Sequence, residues 1–342
     1  MPRTPGRFSL RVDRLTTVGL LLLATGCVPS AAEPGIPLEP YVVDVPGTES
    51  GIEMLPIPGG RFRMGCPAEE PGSGPGESPA HEVEVSPFWM AEMETTWDIY
   101  ESYQLDRVPD PDGVTGPTPP YMPMDFGMGV EGYPAIAMTH YAARQFCKWL
   151  SLQTGDFYRL PTEAEWEFAC RAGSETAWSF GDDPALLDAH AWHYGNADDG
   201  YRQVGRLAAN AFGLHDMHGN VAEWVADGFD PDAWAARAAR GEVVVDPVVW
   251  PDGEWGRVVR GGSWYDDPEQ TRSAARRASG EGWKASDPQR PQSIWYLTDA
   301  DWVGFRVVRP LRPPPREEWA RWWDADVPAI AEIQARQAAG GR

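Results

Sequence analysis

Lysine is almost absent from this chain. Of its 342 residues only Lys148 and Lys284 are lysine, and arginine carries the rest of the positive charge. Cations are scarce altogether: 29 basic residues against 51 acidic ones give a formal net charge of −22. Such a surface repels phosphate backbones, which argues against nucleic-acid binding. It suits divalent cations or basic partners, or it is simply well hydrated. No internal repeat is present. Near the N-terminus the apolar run Leu20-Leu21-Leu22-Leu23-Ala24 is too short to span a bilayer as a mature helix.

The chain is rich in the residues of an irregular, well-filled core. It has 17 Trp, 36 Gly, 34 Pro and 42% hydrophobic residues. Large flat side chains bury much apolar area at little rotamer cost, so they can pin loops in place. This composition excludes a helical bundle and allows one large domain or two ordinary ones.

The N-terminus reads as an address. Arg3, Arg7, Arg11 and Arg14 precede the apolar run, which ends Leu23-Ala24-Thr25-Gly26-Cys27. Small residues before a cysteine resemble a bacterial lipobox. Residues 1–27 are then a lipoprotein signal peptide, and Cys27 is the lipidated residue. Several acyl chains on one residue anchor stably where one does not. The alternative is an ordinary signal peptide with a chance cysteine. Residues 28–50, rich in Pro, Gly and Glu, read as a flexible tether. The expected location is the bacterial cell envelope, on the periplasmic or outer-membrane surface. Processing would leave Cys66, Cys147 and Cys170, an odd number that cannot fully pair.

Local pattern predicts short strands over 52–58 and 60–66, and a strand over 81–85 that residues 87–92 continue. Thr95 or Thr96 begins a short helix. Thr139 caps a helix with an apolar stripe at Ala142, Phe146, Trp149 and Leu150, and Gly155 ends it. Thr162 and Glu165 form a capping box for a helix that stops at Gly173. Residues 106–133 and 228–254 read as loop insertions. Val258-Val259 and Phe305 to Val308 read as closing strands, and Trp319, Trp322 and Trp323 as a tail helix that packs back.

Three phrases carry most of the information. They are Tyr158-Arg-Leu-Pro-Thr-Glu-Ala-Glu-Trp-Glu167, Leu214-His-Asp-Met-His-Gly-Asn-Val-Ala-Glu-Trp224 and Arg257-Val-Val-Arg-Gly-Gly-Ser-Trp264. In this order they resemble the formylglycine-generating enzyme (sulfatase-modifying factor) family over residues 51–311, with 312–342 as a C-terminal tail. The resemblance implies an α+β, loop-rich fold, a variant of the C-type-lectin type, and Pro56-Ile-Pro-Gly-Gly-Arg-Phe-Arg-Met-Gly65 resembles the family's opening hairpin. Cys147 and Cys170 match positions where family members carry structural cysteines. Their partners' places read Ser273 and Val307, so buried free thiols are expected, with a Cys147–Cys170 bond as the alternative.

The resemblance also implies calcium. Gly219, Asn220, Val221 and Glu223 offer a turn glycine, an amide oxygen and a carboxylate, as a hard cation requires. Equally, Asn220 and Glu223 can satisfy backbone groups in a buried turn. A weaker second loop comprises Asn196, Ala197, Gly205 and Leu207, with Asp198 or Asp199 replacing an acidic ligand lost at Gly205. The pairs His190/His193 and His215/His218 have transition-metal spacing but no third ligand in register.

Relatives that make formylglycine hold copper(I) with two cysteines soon after Gly-Gly-Ser. Here Asp266 replaces the first and the second has no counterpart. Hard carboxylates cannot replace a dithiolate, so copper is not expected. A cleft remains, lined by Ser263, Trp264, Asp266, Asp267, Arg272, Arg276 and Arg277. Arg260, Arg276 and Arg306 alternatively form buried ion pairs of the scaffold. The first functional expectation is a membrane-tethered, non-catalytic binding or assembly module with a protein, peptide or glycan ligand. The alternative is an oxidoreductase or protein-maturation factor of the same family using different chemistry.

Overall fold

Gly59 and Gly60 set the architecture of the first half of the chain. Both have positive φ, +68° and +136°, and a Cβ on Gly59 would lie 2.5 Å from the Val85 carbonyl oxygen. Only glycine permits that turn and that approach. The turn sends the strands on either side of it into different sheets.

The computed structural model describes residues 37–106, 116–117, 119–324, 326, 330–332 and 335. Cys27 and the start of the expected tether lie outside these residues. In chain order the strands are β1 Tyr41–Asp44, β2 Gly51–Ile57, β3 Gly60–Met64, β4 His81–Val85, β5 Phe88–Ala91, β6 Ala222–Gly228, β7 Val244–Val245, β8 Arg257–Arg260, β9 Arg276–Ala278, β10 Val303–Gly304 and β11 Val308–Pro310. The helices are α1 Trp97–Leu105, α2 His140–Thr154, α3 Glu163–Arg171, α4 Ala233–Arg240 and α5 Trp319–Trp323. The sheets run β1-β2-β5-β11, β10-β6-β8-β9 and β3-β4-β7. This is the expected α+β, loop-rich arrangement, and no helix among the described residues is long and apolar enough to cross a membrane.

Several local expectations need correction. The segments flanking Gly59 are not a hairpin, because β2 pairs with β1 and β5 while β3 pairs with β4. Residues 87–92 do not continue β4; β5 belongs to the β2 sheet. The tether gives way before Ser50, since Tyr41 pairs with Met54 and Asp44 with Gly51. The second insertion contains α4 and β7 rather than loop alone.

The helix signals hold. Thr139 Oγ1 accepts from the Ala142 amide at 3.1 Å, and Gly155 ends α2 at φ 82°. In α3 the Thr162 hydroxyl accepts from the Glu165 amide at 3.2 Å, and Glu165 Oε2 accepts from the Thr162 amide at 2.8 Å. The helix ends at Arg171, and both Ala172 and Gly173 have positive φ, 47° and 92°. Cys66, Cys147 and Cys170 are all buried free thiols.

The tail packs back on α2. Phe157 stacks on Trp319, ring centroids 4.9 Å apart, and lies 5.3 Å from Trp323. Arg144 donates to the Trp322 and Arg321 carbonyls at 2.7 and 2.6 Å, and Gln145 donates to the Trp323 carbonyl at 2.6 Å. Asp326 then bridges Arg144 and Arg257. These contacts explain why α2 buries polar residues beside its apolar stripe: they satisfy the carbonyls left open at the end of α5.

Burial alone would raise the Asp326 carboxyl, but the Arg257 hydrogen bond and the charges of Arg144 and Arg257 hold it well below the usual carboxylate range. A carboxyl depressed in this way adds stability above its unfolded pKa, and that stability is lost as pH falls below about 4. Asp326→Asn is expected to destabilise the protein by about 2 kcal/mol at neutral pH. Thermal unfolding across pH should show the gap to the unsubstituted chain closing below about pH 4. An equal gap at all pH values would remove Asp326 from this role.

Candidate functional site

The Gly219-Asn220 turn sits where several segments meet. Gly219 has φ +81°, and a Cβ there would lie 2.0 Å from the Trp192 carbonyl oxygen. Asn220 follows at φ 56°. Its amide N–H donates to the Trp192 carbonyl at 2.8 Å, and its own carbonyl accepts from the Trp264 amide at 2.8 Å. The side-chain oxygen accepts from the Arg202 amide at 2.8 Å, and the side-chain nitrogen donates to Glu94 at 3.1 Å. Val221 is buried, and its amide faces Glu94 at 3.4 Å.

Glu223 is equally committed. Arg306 grips its carboxylate as a fork, with Nε to Oε2 at 2.8 Å and Nη2 to Oε1 at 2.7 Å, and the Trp166 indole N–H donates to Oε2 at 2.9 Å. Asn220 and Glu223 thus behave as the buried-turn alternative for Gly219, Asn220, Val221 and Glu223 expects, since their side-chain oxygens accept from groups of the protein. A calcium ion would draw about six to eight oxygens from carboxylates, carbonyls and water, so it would have to share these side chains with their protein donors.

In the second loop, too, the oxygens accept from the protein. The Asn196 side-chain oxygen accepts from the His193 amide at 2.8 Å. The Ala197 carbonyl accepts from Gly200 at 3.3 Å, and the Leu207 carbonyl accepts from His215 Nδ1 at 2.9 Å. The Gly205 amide donates to Asp216 at 2.7 Å. Asp198 lies on the surface and pairs with Arg202 at 2.9 Å. The histidine pairs separate as well: His193 meets Asp188 at 2.9 Å, His190 stacks on Phe180 and His218 donates to the Thr271 carbonyl at 2.7 Å. Among the described residues no three His, Cys, Asp or Glu side chains are placed to hold a metal.

The cleft residues divide into frame and surface. Arg272 is buried and paired with Glu70 and Glu77, and Arg276 pairs with Glu163 at 2.7 Å. Neither is free to bind a ligand. Ser263 donates to Asp266 Oδ2 at 2.7 Å, and Arg277 holds the other oxygen. Trp264 is buried beneath them. What faces solvent is Asp267 and the exposed ring of Tyr265, with Tyr194 beside it, centroids 6.5 Å apart. The Tyr194 amide donates to the Asp266 carbonyl at 2.9 Å, which ties the two walls together. A cavity of about 170 Å³ lies behind, lined by Arg272, Arg276 and Arg277. Tyr194 was not legible from sequence, because no motif marks it; Tyr265 was adjacent to a quoted phrase and passed over.

Two further carboxylates were missed. Glu94 is buried beside Asn220, and burial followed by the nearby charge of Asp216 pushes it well above the usual carboxylate range. Burial raises Asp216 too, and its Oδ1 has no partner. Two buried carboxylates that repel each other favour the protonated form of one of them. Cys170 and His218 touch at 3.7 Å, but burial pushes the thiol up to about 12 and the imidazole down to about 4. Both are neutral, so they are not an activated nucleophile and base.

Sheets of short strands, long pinned loops and a buried Gly-Asn-x-x-Glu clamp define a sulfatase-modifying-factor type of domain. The family model for the sulfatase-modifying factor enzyme 1-like domain matches residues 43–311, and the chain belongs to that family. It is 28% identical over 259 residues to a formylglycine-generating enzyme of Thermomonospora curvata, covering 62% of this chain and 82% of that one. Similarity to the Mycobacterium tuberculosis formylglycine-generating enzyme is 33% over 166 residues, 42% of this chain, and the match spans 52% of that enzyme's length. An inactive Cα-formylglycine-generating enzyme 2 of Bos taurus is 26% identical over 316 residues, covering 79% and 92% of the two chains. Among solved structures, PvdO from Pseudomonas aeruginosa superposes with a TM-score of 0.60 at 29% identity, covering 79% of this chain and 98% of PvdO.

Glu223→Gln leaves Arg306 buried without its counter-charge and is expected to cost about 3 kcal/mol. The loss in thermal stability should be the same in millimolar calcium and in chelator. A calcium-dependent stabilisation of the unsubstituted chain that the variant lacks would restore Glu223 as a ligand.

Proposed function

We propose that this chain is a non-catalytic binding or assembly module of the bacterial cell envelope, tethered through a lipidated Cys27. Its cleft presents the Tyr194–Tyr265 ring pair and Asp267 to a protein, peptide or glycan. One observation carries this reading. Where formylglycine-forming relatives place a thiolate after Gly-Gly-Ser, this chain has Asp266, closed between Ser263 and Arg277. Among the described residues no thiol is free to replace it, because all three are buried, and Cys66 and Cys170 are raised by burial. Copper(I) chemistry needs two soft, accessible thiolates. The similarity to a bovine protein named as inactive in this reaction is in keeping with a scaffold retained without it.

The test has two arms. The purified full chain, given copper(I) and a sulfatase-derived cysteine peptide, is expected to retain no stoichiometric copper and to form no aldehyde by mass spectrometry. Tight copper uptake with aldehyde formation would overturn the reading in favour of an enzyme. Expressed in a bacterial host, the chain should fractionate with membranes and carry acyl chains, and Cys27→Ser should release it. Unchanged membrane association of that variant would remove the anchor.

A further inference from the structure

The free edge of β3 borders a second cavity, which shares no lining residue with the one behind the cleft. In the three-stranded sheet, β3 lies at one edge and is bonded only to β4, in the register Arg61 to Glu84, Phe62 to Val83 and Arg63 to Glu82. Outside that ladder, no backbone hydrogen bond reaches Arg61, Phe62 or Arg63 among the described residues. An edge in this state offers a row of unpaired N–H and C=O groups. Beyond Met64 the edge closes: the Gly65 amide donates to Glu167 at 2.8 Å, and Arg171 donates to the Gly65 carbonyl at 2.9 Å.

A groove runs along this edge. It has a volume of about 670 Å³ and is bounded by Pro58 to Arg63 on one side and by Gly173, Ser174 and Glu175 on the other. Its apolar lining is a row of rings, Phe62 against Phe168 at 5.4 Å and Phe168 against Phe212 at 5.9 Å. That volume lies within the range of ligand-binding clefts.

We infer that this groove takes an extended peptide strand in which acidic residues alternate with apolar ones, added to β3 by backbone pairing. The chemistry follows from the two faces of the strand. Phe62 points to the ring side, so every second residue of an added strand meets apolar surface. Arg61 and Arg63 point to the other side, so the intervening residues meet cations. The strand β3 already pairs with shows the same complement: β4 reads His81-Glu82-Val83-Glu84-Val85. Arg61 is bonded to Glu84 at 2.7 Å, whereas no carboxylate is paired with the exposed Arg63 among the described residues. A second copy of this chain is the poorer occupant. Antiparallel pairing of two β3 edges about Phe62 would set Arg61 opposite Arg63 of the other copy, and like charges directly opposite repel.

The probe is a fluorescein-labelled seven-residue peptide of alternating valine and glutamate, titrated with the full chain at low salt. Saturable binding by fluorescence anisotropy is expected, with protection of the Arg61 to Arg63 amides from hydrogen exchange. Arg63 is exposed, so Arg63→Glu should leave folding intact. It should weaken the glutamate peptide about tenfold and reverse preference towards a valine–lysine peptide. No saturation by about 1 mM, binding indifferent to Arg63→Glu, or protection away from β3 would each overturn the inference. So would concentration-dependent dimerisation that protects the same amides without peptide.

Discussion

The fold hangs on arginines buried between carboxylates. Arg260 lies wholly inside, donating to Glu163 at 3.0 Å, to Glu167 at 2.7 Å and to the Ser273 carbonyl at 2.6 Å. Arg276 reaches the same Glu163, and Arg171 the same Glu167. Burial works against the Glu167 carboxylate, yet Arg171, Arg260 and the Gly65 amide together keep it below its ordinary range. Taking such charges from water costs several kcal/mol each, and the cost is met only when nearly every donor and acceptor is paired. That requirement fixes α3 against β8 and β9 more strictly than apolar packing would. It also ties the Gly65 turn, and with it one end of β3, to α3.

The same constraint separates frame from site. Arg306 and Glu223 do for β6 and the segment before β11 what Arg260 does for α3. Asn220 adds neutral hydrogen bonds to four other segments. A motif that resembles a cation loop thereby also serves as a joint, in which the Asn220 and Glu223 side-chain oxygens accept from the protein. Arg272 and Arg276 belong to the same frame, although their place in sequence after Gly-Gly-Ser suggested a cleft. Of the expected cleft residues, Asp267 and the partly exposed Arg277 remain at the surface, with Tyr194 and Tyr265 beside them.

Much of the local structure was legible from sequence because its signals are local. Thr139, Gly155 and the Thr162–Glu165 box each act within four residues, so pattern alone places α2 and α3. The buried-ion-pair alternative for Arg260, Arg276 and Arg306 also proved right. Pairings across long separations were not legible. Nothing near Asn220 announces Glu94, 126 residues away. Nothing near Arg144 announces Asp326, 182 residues on. The strand patterns around Gly59 were visible, but alternation does not say which sheet a strand joins, so two sheets were read as one hairpin.

The proposed loss of the family's sulfur chemistry is compatible with survival of its scaffold for a structural reason. The loop after Gly262 is closed by protein groups alone. Asp266 receives Ser263 on one oxygen and Arg277 on the other, and Arg277 lies over the Trp302 ring at 4.6 Å. A carboxylate satisfied in this way needs no ion to balance it, so the turn keeps its shape without a metal. The buried arginine frame behind it is indifferent to what occupies position 266, since none of its carboxylates is shared with that loop. The scaffold can therefore exchange one chemistry for another at its surface while the interior stays fixed. On such a frame the loops and edges are free to differ in what they display: here an exposed tyrosine pair at one place and the edge strand β3 at another.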